Sequence, residues 1–370
     1  MSTVQQPVRQ EVSAPNEELN QNIQGVSLGQ DAWRRLRKNR MAIVSLVVVS
    51  LYVVVSLFAP VLPIRSFRAQ VPEHRDLPPA LGRSAGQLWL EREETYLNQL
   101  AGAQDRVLTD EETARLAEIR QRVATETVEI DGDQVLLHNR RYVLGTDHLG
   151  RDVLSRVIYG GRLSIIIGLV GTATSVIIGI LVGAISGYVG GRTDYLIMRV
   201  VDVMYGLPYM LIVIIIMALF PARNIATSLI SLFVALSLVS WLVVARVVRG
   251  QVISLKNSEF VEAARSMGAS TARIVFRHLM PNTLGIIIVF ATLRIPAFIM
   301  QEAFLSFLGL GISAPFASWG SLVAEGVDRM QATPWQLFFP ALAMTLFLFA
   351  MNFLGDGLRD AFDPHSKNRL

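Results

Sequence analysis

The chain contains no cysteine among its 370 residues. This absence excludes a disulfide scaffold, a cysteine-ligated zinc site, a thiol nucleophile and an iron–sulfur cluster. Charged residues are also scarce, at 17% of the chain, whereas hydrophobic residues reach 52%, which is the opposite of a disordered protein. The formal net charge of +4 is too small for a nucleic-acid binder unless the basic residues cluster. They do cluster, but beside apolar runs.

Several functional classes lack their sequence signatures. No Gly-x-x-x-x-Gly-Lys-Ser/Thr loop occurs, so we expect no nucleotide, and no other cofactor, to bind this chain. The five histidines are scattered outside the apolar runs, which leaves no metal or nucleophile–base set for an intramembrane enzyme. Paired internal repeats of a secondary transporter and the filter or charged ring of a channel are not evident either.

Long uncharged runs are the dominant feature that is present. A bilayer core of about 30 Å needs about 20 helical residues. Five runs satisfy this plainly, and a sixth does so although it carries Arg294 and Glu302. The sequence therefore predicts an all-α polytopic membrane protein with six transmembrane helices. The predicted spans are 41–59, 163–189, 203–220, 224–245, about 282–307, and 331–355.

The distribution of Lys and Arg predicts the orientation of these spans. Cytoplasmic loops retain basic residues when the loops are short. With the N-terminus inside, the short connections on the cytoplasmic side hold sixteen Lys and Arg residues, in 34–40, 192–199, 246–277 and 359–369. The short connections on the other side hold only Arg223 and Arg329. Both termini are therefore predicted to be cytoplasmic. Residues 1–32 are predicted to be a disordered cytoplasmic tail, and 33–62 a basic segment with a retained first span rather than a signal peptide.

An insertion of mixed charge at 63–143 separates the first span from the rest of the chain, and we expect it to be exported. Residues 88–124 have helical apolar spacing, and Thr109 with Glu112 forms a capping-box signature, so a helical hairpin is predicted. Residues 128–136 are typical of a short β-hairpin. A solvated spacer is favoured over a partner-binding role, and both remain open. Residues 144–370 are predicted to be a permease core with five spans.

The predicted cytoplasmic loop at 246–281 has the pattern of two short helices. Ser258 is placed to cap the first helix, Glu262 lies in its first turn, and Gly268 is placed to end it. The second helix is predicted to start at about residue 270 and to break at Pro281 before the fifth span. With the small Ala263 and Ala264, these helices offer a surface that another protein's groove can approach closely.

This loop resembles the EAA loop of the membrane-spanning subunits of ATP-binding-cassette importers. The matching residues are Glu262, Ala263, Ala264, Gly268, Ile274 and Pro281. In that family the loop is a coupling helix seated in a cleft of the ATPase. The resemblance implies a type I importer permease fold in membrane lipid, two ATPase subunits that carry ATP and Mg, a second permease subunit, and an extracytoplasmic solute-binding protein. It also implies a bacterial cytoplasmic membrane and no nucleic-acid partner.

A second informative segment, 144–164, precedes the second span. It resembles the corresponding block of dipeptide and oligopeptide permeases, which narrows the resemblance to the C-type subunit of the peptide and nickel branch. Its candidate outer docking residues are Gly145, Asp147, Gly150, Arg151 and Asp152. An i,i+4 pair of Asp152 with Arg156 is predicted. Asp147, His148 and Asp152 could suggest a metal or catalytic site, but they lack a tetrahedral ligand set and a nucleophile.

Two charged residues are candidates for the translocation pathway. Arg294 lies about 18 Å along the fifth span, where an arginine costs about 2.5–3.5 kcal/mol, so we expect it to face the interior of the bundle. A direct pair with Glu302 is not expected, since they are eight residues apart with Pro296 between them. Arg294 could meet a peptide carboxylate, but a carbonyl or a partner's acidic residue is favoured. Short peptides are the implied cargo, with nickel complexes, glutathione or another small solute left open.

Overall fold

Long helices dominate the computed structural model, which describes residues 28–130, 133–220, 224–312 and 314–362. Five helices within that part of the chain are long and apolar enough to cross a membrane. They are α2 (Arg40–Leu57), α5 (Val153–Val189), α8 (Ile225–Leu255), the continuous helix Thr271–Phe307, which contains α10 (Thr271–Arg273) and α11 (Met280–Phe307), and α13 (Trp335–Phe362). The all-α membrane fold is confirmed.

The third predicted span, 203–220, is not one straight helix. Its residues fall in α6 (Gly191–Tyr205) and α7 (Tyr209–Leu219), whose axes differ by 84°. The prediction of a continuous helix over 203–220 was therefore wrong, and six spans are reached only if this bent pair counts as one. The break has a local cause, because Pro208 has no N–H to donate and disfavours helical geometry at Leu207. Pro208 itself is extended, with φ −60° and ψ 111°.

The basic segment before the first span is helical. Helix α1 (Leu28–Lys38) is followed directly by α2, whose N-cap Asn39 accepts a hydrogen bond from the Ala42 amide. Ala32 and Leu36 of α1 are buried in one apolar cluster with residues of α13. The predicted tail over 1–32 is therefore corrected at 28–32, which belong to this helix, and residues 1–27 lie outside the described residues.

The insertion has the two predicted hairpins. Helix α3 (Ala85–Ala103) and helix α4 (Asp110–Thr125) each begin with a capping box, and the one at Thr109 and Glu112 is the predicted one. Strands β1 (Thr127–Ile130) and β2 (Asp133–Leu136) then pair in antiparallel fashion. The helical hairpin and the β-hairpin are confirmed at these positions.

A chain of polar side chains is buried in the insertion. His74 contacts the Tyr142 hydroxyl through Nδ1 at 3.0 Å and His138 Nδ1 through Nε2 at 2.8 Å. His138 Nε2 in turn lies 3.0 Å from a Glu126 carboxylate oxygen. Burial, reinforced by the neighbouring His138, lowers the pKa of His74 to about 3. The insertion therefore holds this ring neutral at ordinary pH.

Glycines allow α5 and α8 to pack closely. A Cβ built on Gly183 would lie 2.4 Å from the Ala245 carbonyl oxygen, and one on Gly179 would lie 2.5 Å from Val244 Cβ. Gly187 approaches Val252 in the same way. Small residues at this interface therefore let the two helix backbones approach closely.

Candidate functional site

The loop that resembles a coupling segment forms a short exposed helix. Helix α9 (Glu259–Ser266) begins after Ser258, as predicted, although the Ser258 hydroxyl donates to the Leu255 carbonyl at 2.6 Å instead of capping the helix. Glu262 and Ala263 are exposed. Gly268 ends the helix with φ +79°, a conformation that glycine adopts without strain.

Two of the matching residues lie inside the protein rather than on its surface. Ala264 and Ile274 are 2% and 1% exposed and belong to one apolar cluster with Val248 and Val252 of α8. The expectation that Ala264 contributes to an approachable surface was therefore wrong. Successive side chains of a helix point about 100° apart, so Glu262 and Ala263 lie on the exposed face of α9 while Ala264 packs its buried face against the protein.

Pro281 does not break the chain before the fifth span. A π-helical segment, Ile274–Leu279, leads directly into α11, and the helix continues from Thr271 to Phe307. Pro281 stands in the first turn of α11, where a missing N–H is tolerated, and the wider π turn before it changes the hydrogen-bond register. The predicted break at Pro281 was wrong, and the loop from Thr271 onward is continuous with the span.

The block before α5 is a buried ion-pair network. Asp147 accepts hydrogen bonds from Arg151 Nε at 2.6 Å and from Arg156 Nη1 at 2.8 Å. Arg156 also donates to both carboxylate oxygens of Glu325, at 2.7 and 3.1 Å, from the short helix α12 (Trp319–Val327). The backbone glycines of the block, Gly145 and Gly150, have φ +78° and +72°.

The predicted pair of Asp152 with Arg156 is not formed. Asp152 caps α5 instead, accepting from the Leu154 amide at 3.2 Å and the Ser155 hydroxyl at 2.8 Å. Burial raises the pKa of Asp152. The prediction failed because a residue at the N-cap points its carboxylate at the first turn rather than along the helix.

The candidate docking residues of this block are mostly inside the subunit. Asp147, Arg151 and Asp152 are 3%, 2% and 9% exposed. The half-buried His148 and the exposed part of Glu325 instead line an open recess of about 790 Å³ with residues 327–332. The buried charges of this block are therefore not accessible on the surface of the subunit, whereas the recess is.

Three potential metal ligands also come together here, but Glu325 takes the place of Asp152 in the set considered from the sequence. Ligand atoms of Asp147, His148 and Glu325 lie within 4.8 Å of one another. Both carboxylates are already neutralised by Arg151 and Arg156, so a cation would meet two guanidinium groups. Sequence reasoning missed Glu325 because it is 169 residues from Arg156 and no local pattern marks it.

The two charged residues of the fifth span have separate partners, as predicted. Arg294 donates from Nη2 to the Ser240 carbonyl at 3.2 Å, and its guanidinium carbon lies 5.3 Å from the Phe298 ring centre. Glu302 is fully buried and accepts hydrogen bonds of 2.6 Å from Ser306 and Ser318. Of the two, only Arg294 is partly exposed.

Comparisons with known proteins give a consistent result. Residues 179–368 match the family described as binding-protein-dependent transport system inner membrane component, and residues 27–79 match the N-terminal transmembrane domain of oligopeptide transport permease C. The oligopeptide transport system permease protein OppC of Haemophilus influenzae is 48% identical over 226 residues, covering 61% of this chain and 71% of that protein.

Other relatives match along nearly the whole chain. The dipeptide transport system permease protein DppC of Bacillus subtilis is 37% identical over 355 residues, covering 94% of this chain and 91% of that protein. A solved structure of the MetNI methionine ABC transporter in inward-facing conformations is similar at 15% identity and a TM-score of 0.46, covering 56% of this chain and 97% of that chain. The chain is thus a multi-pass inner-membrane protein that belongs to the binding-protein-dependent transport permeases, in their oligopeptide and dipeptide C-type branch.

Proposed function

We propose that this subunit forms half of a translocation pathway for short peptides and couples it to a separate ATPase through α9. The observation that carries the proposal is the packing of α9, through buried Val261 and Ala264, in one apolar cluster with Ile274 at the base of the fifth span. Exposed Glu262 and Ala263 lie on a helix anchored by Ala264, and the chain continues as one helix from Thr271 past Arg294. That helix covers about 35 Å between these two residues, so displacement of α9 would tilt the span.

The remaining partners follow from the family and from the charge distribution. ATP and Mg would bind to two ATPase subunits, whose closure would move α9 only if they bind the two states of the pathway with different free energies. A second, non-identical permease subunit would complete the pathway, and an extracytoplasmic solute-binding protein would deliver the solute. The excess of Lys and Arg on the α9 side supports a cytoplasmic location for α9 and both termini.

The cargo is proposed from the names of the relatives. Both close relatives are named for oligopeptide or dipeptide transport, which supports peptides ahead of nickel complexes, glutathione or another small solute. The purified complex, reconstituted with loaded binding protein and offered a panel of peptides and metals, would distinguish these candidates by stimulated ATP hydrolysis.

Coupling through α9 is tested by reversing one exposed charge. We expect Glu262→Lys to abolish uptake while insertion into the membrane continues, because Glu262 is exposed on the proposed ATPase-facing side of α9. Glu118→Lys is the matched control, since it reverses an exposed glutamate of helix α4 in the insertion. Capture of the ATPase at wild-type yield by Glu262→Lys, together with normal uptake, would exclude the proposal.

A further inference from the structure

Arg294 is a cation within a membrane-spanning helix, and no described residue of the chain forms an ion pair with it. Its one hydrogen bond goes to the Ser240 carbonyl, and its buried Nε has no acceptor. Every ion pair among the described residues of the chain involves other side chains, and none reaches Arg294. A guanidinium offers five N–H donors, so most of its capacity for hydrogen bonding is unused.

A second arginine, at the end of the span formed by α8, has its charge compensated within the chain. Arg246 of α8 donates to Asp202 at 2.6 Å and lies over the Tyr205 ring at 4.1 Å. Its charge is compensated within the subunit. Because an intramembrane arginine is costly without such compensation, and the described residues supply none, we look for the counter-charge of Arg294 in a ligand or a neighbouring subunit.

The surroundings of Arg294 are polar and adjoin the break in the bent pair. Tyr209, the first residue of α7, donates its hydroxyl to Gln301 Oε1 at 2.8 Å and lies 3.2 Å from the Ser240 hydroxyl. Gln301 is two turns beyond Arg294 on the same helix. Irregular backbone at membrane depth is tolerated where it is covered by protein or lines a water-filled cavity, and broken helices often mark binding sites in transporters.

We propose that Arg294, close to the break that precedes Tyr209, forms a subsite that binds the C-terminal carboxylate of a peptide in transit. A planar guanidinium matches a carboxylate through two parallel hydrogen bonds. Arg294 is partly exposed, so its side chain is not sealed inside the subunit. The inference rests on the proposed peptide transport. The other source of a carboxylate is an acidic side chain of a second permease subunit, and the experiment separates the two.

The test compares uptake of one peptide as its free acid and as its C-terminal amide, chosen so that the wild-type complex imports both. For Arg294→Gln we expect the KM for the free acid to rise about tenfold to one-hundredfold, because the substitution removes a charge-assisted hydrogen bond. The KM for the amide should change less than about twofold. Arg294→Lys should give an intermediate rise for the acid. Arg246→Gln, the matched control, should leave the ratio of acid to amide unchanged.

The outcomes separate the inference from the function on which it rests. A wild-type complex that imports no peptide refutes the proposed function and the inference with it. Peptide uptake by the wild type with an unchanged acid-to-amide ratio in Arg294→Gln overturns the inference alone. Reduced recovery of the second permease subunit, with equal losses for acid and amide, would assign Arg294 to the subunit contact instead. If Arg294→Gln fails to accumulate, the ratio measured for Arg294→Lys decides.

Discussion

Replacing Asp147 with asparagine should destabilise the subunit severely. The Asp147 carboxylate accepts four hydrogen bonds, two from the backbone amides of Leu149 and Arg151 and two from the Arg151 and Arg156 guanidinium groups. Asparagine can keep the two backbone bonds through its oxygen. Its NH2 group would then face the two arginines, which are both 2% exposed and also have only donors.

The magnitude follows from the burial of the charges that would be left. Removal of one partner from a buried ion pair costs about 3–5 kcal/mol, because the remaining charge is uncompensated. Glu325 still contacts both arginines, at 2.7 Å from Arg156 and 3.7 Å from Arg151, so we expect Asp147→Asn to reach the lower end of that range.

The assay is the apparent free energy of unfolding of the detergent-solubilised protein, measured by titration with SDS. Glu325→Gln is the matched control, since its side chain is 37% exposed and water can solvate the change, and a loss near 1 kcal/mol is expected for such pairs. Equal stabilities of Asp147→Asn and the wild type would refute the structural role of the network. If Asp147→Asn lost docking of the binding protein but kept its stability, Asp147 would instead have the outer docking role predicted from the sequence.

Three further perturbations test other parts of the structure. Gly183→Ala should cost about 1–3 kcal/mol of unfolding free energy, because its methyl would meet the Ala245 carbonyl, whereas Gly250→Ala has no atom within 4 Å and should be neutral or slightly stabilising in SDS titrations. Gly268→Ala should lose about 1–2 kcal/mol from the positive φ alone, seen as faster amide exchange in α9 and contradicted by unchanged exchange. The pKa of His74 falls from 6.5 to about 3 on burial, so stability that is complete above pH 6.5 should be lost as the pH falls towards 3, by about 2 kcal/mol near pH 5. Amide exchange of the insertion, measured between about pH 7 and pH 5, checks this loss of stability. His74→Phe is the pH-insensitive comparison, and parallel pH profiles of the wild type and His74→Phe would contradict the prediction.

Features that depend on neighbouring residues were predictable from the sequence. The membrane spans follow from long uncharged runs, and the helical hairpin of the insertion follows from its capping box at Thr109. The end of α9 at Gly268 follows from the conformational freedom of glycine. In each case the signal and the structure that it specifies lie within a few residues of each other.

Features that depend on distant contacts were not predictable. Glu325 completes the network of Arg156 from 169 residues away, and one sequence contains no information on such pairing. The burial of Ala264 depends on which face of α9 meets α8, and the amphipathic pattern of an eight-residue helix is too short to fix that face. The local structure of the candidate segment was therefore predictable in outline, while the burial and the partners of its individual side chains required the structure.

Three prolines in the apolar helices show why local signals alone are insufficient. Pro296 is buried inside α11, which packs against α5, α8 and α13, and the helix continues through it. Pro281 is tolerated after a π-helical segment. At Pro208 the helix does break, and Gly206, Leu207 and Pro208 are all exposed in the isolated subunit. Proline removes the same donor each time, so the packing around it determines whether the helix survives.

The exposed break also bears on assembly. The amides of Gly206 and Leu207 still donate to Asp202 and Met204, but no backbone amide among the described residues donates to the Gly206 and Leu207 carbonyls. These carbonyls cannot face lipid, because hydrocarbon offers them no hydrogen-bond partner. They must therefore be covered by another protein surface or by the water of a transport path. We expect a second permease subunit to meet this face. A cysteine introduced at Leu207 should then be protected from a water-soluble maleimide, or labelled only from the pathway, in the assembled complex. The isolated subunit should show free labelling at the same position, and equal labelling in both states would argue against a covering subunit.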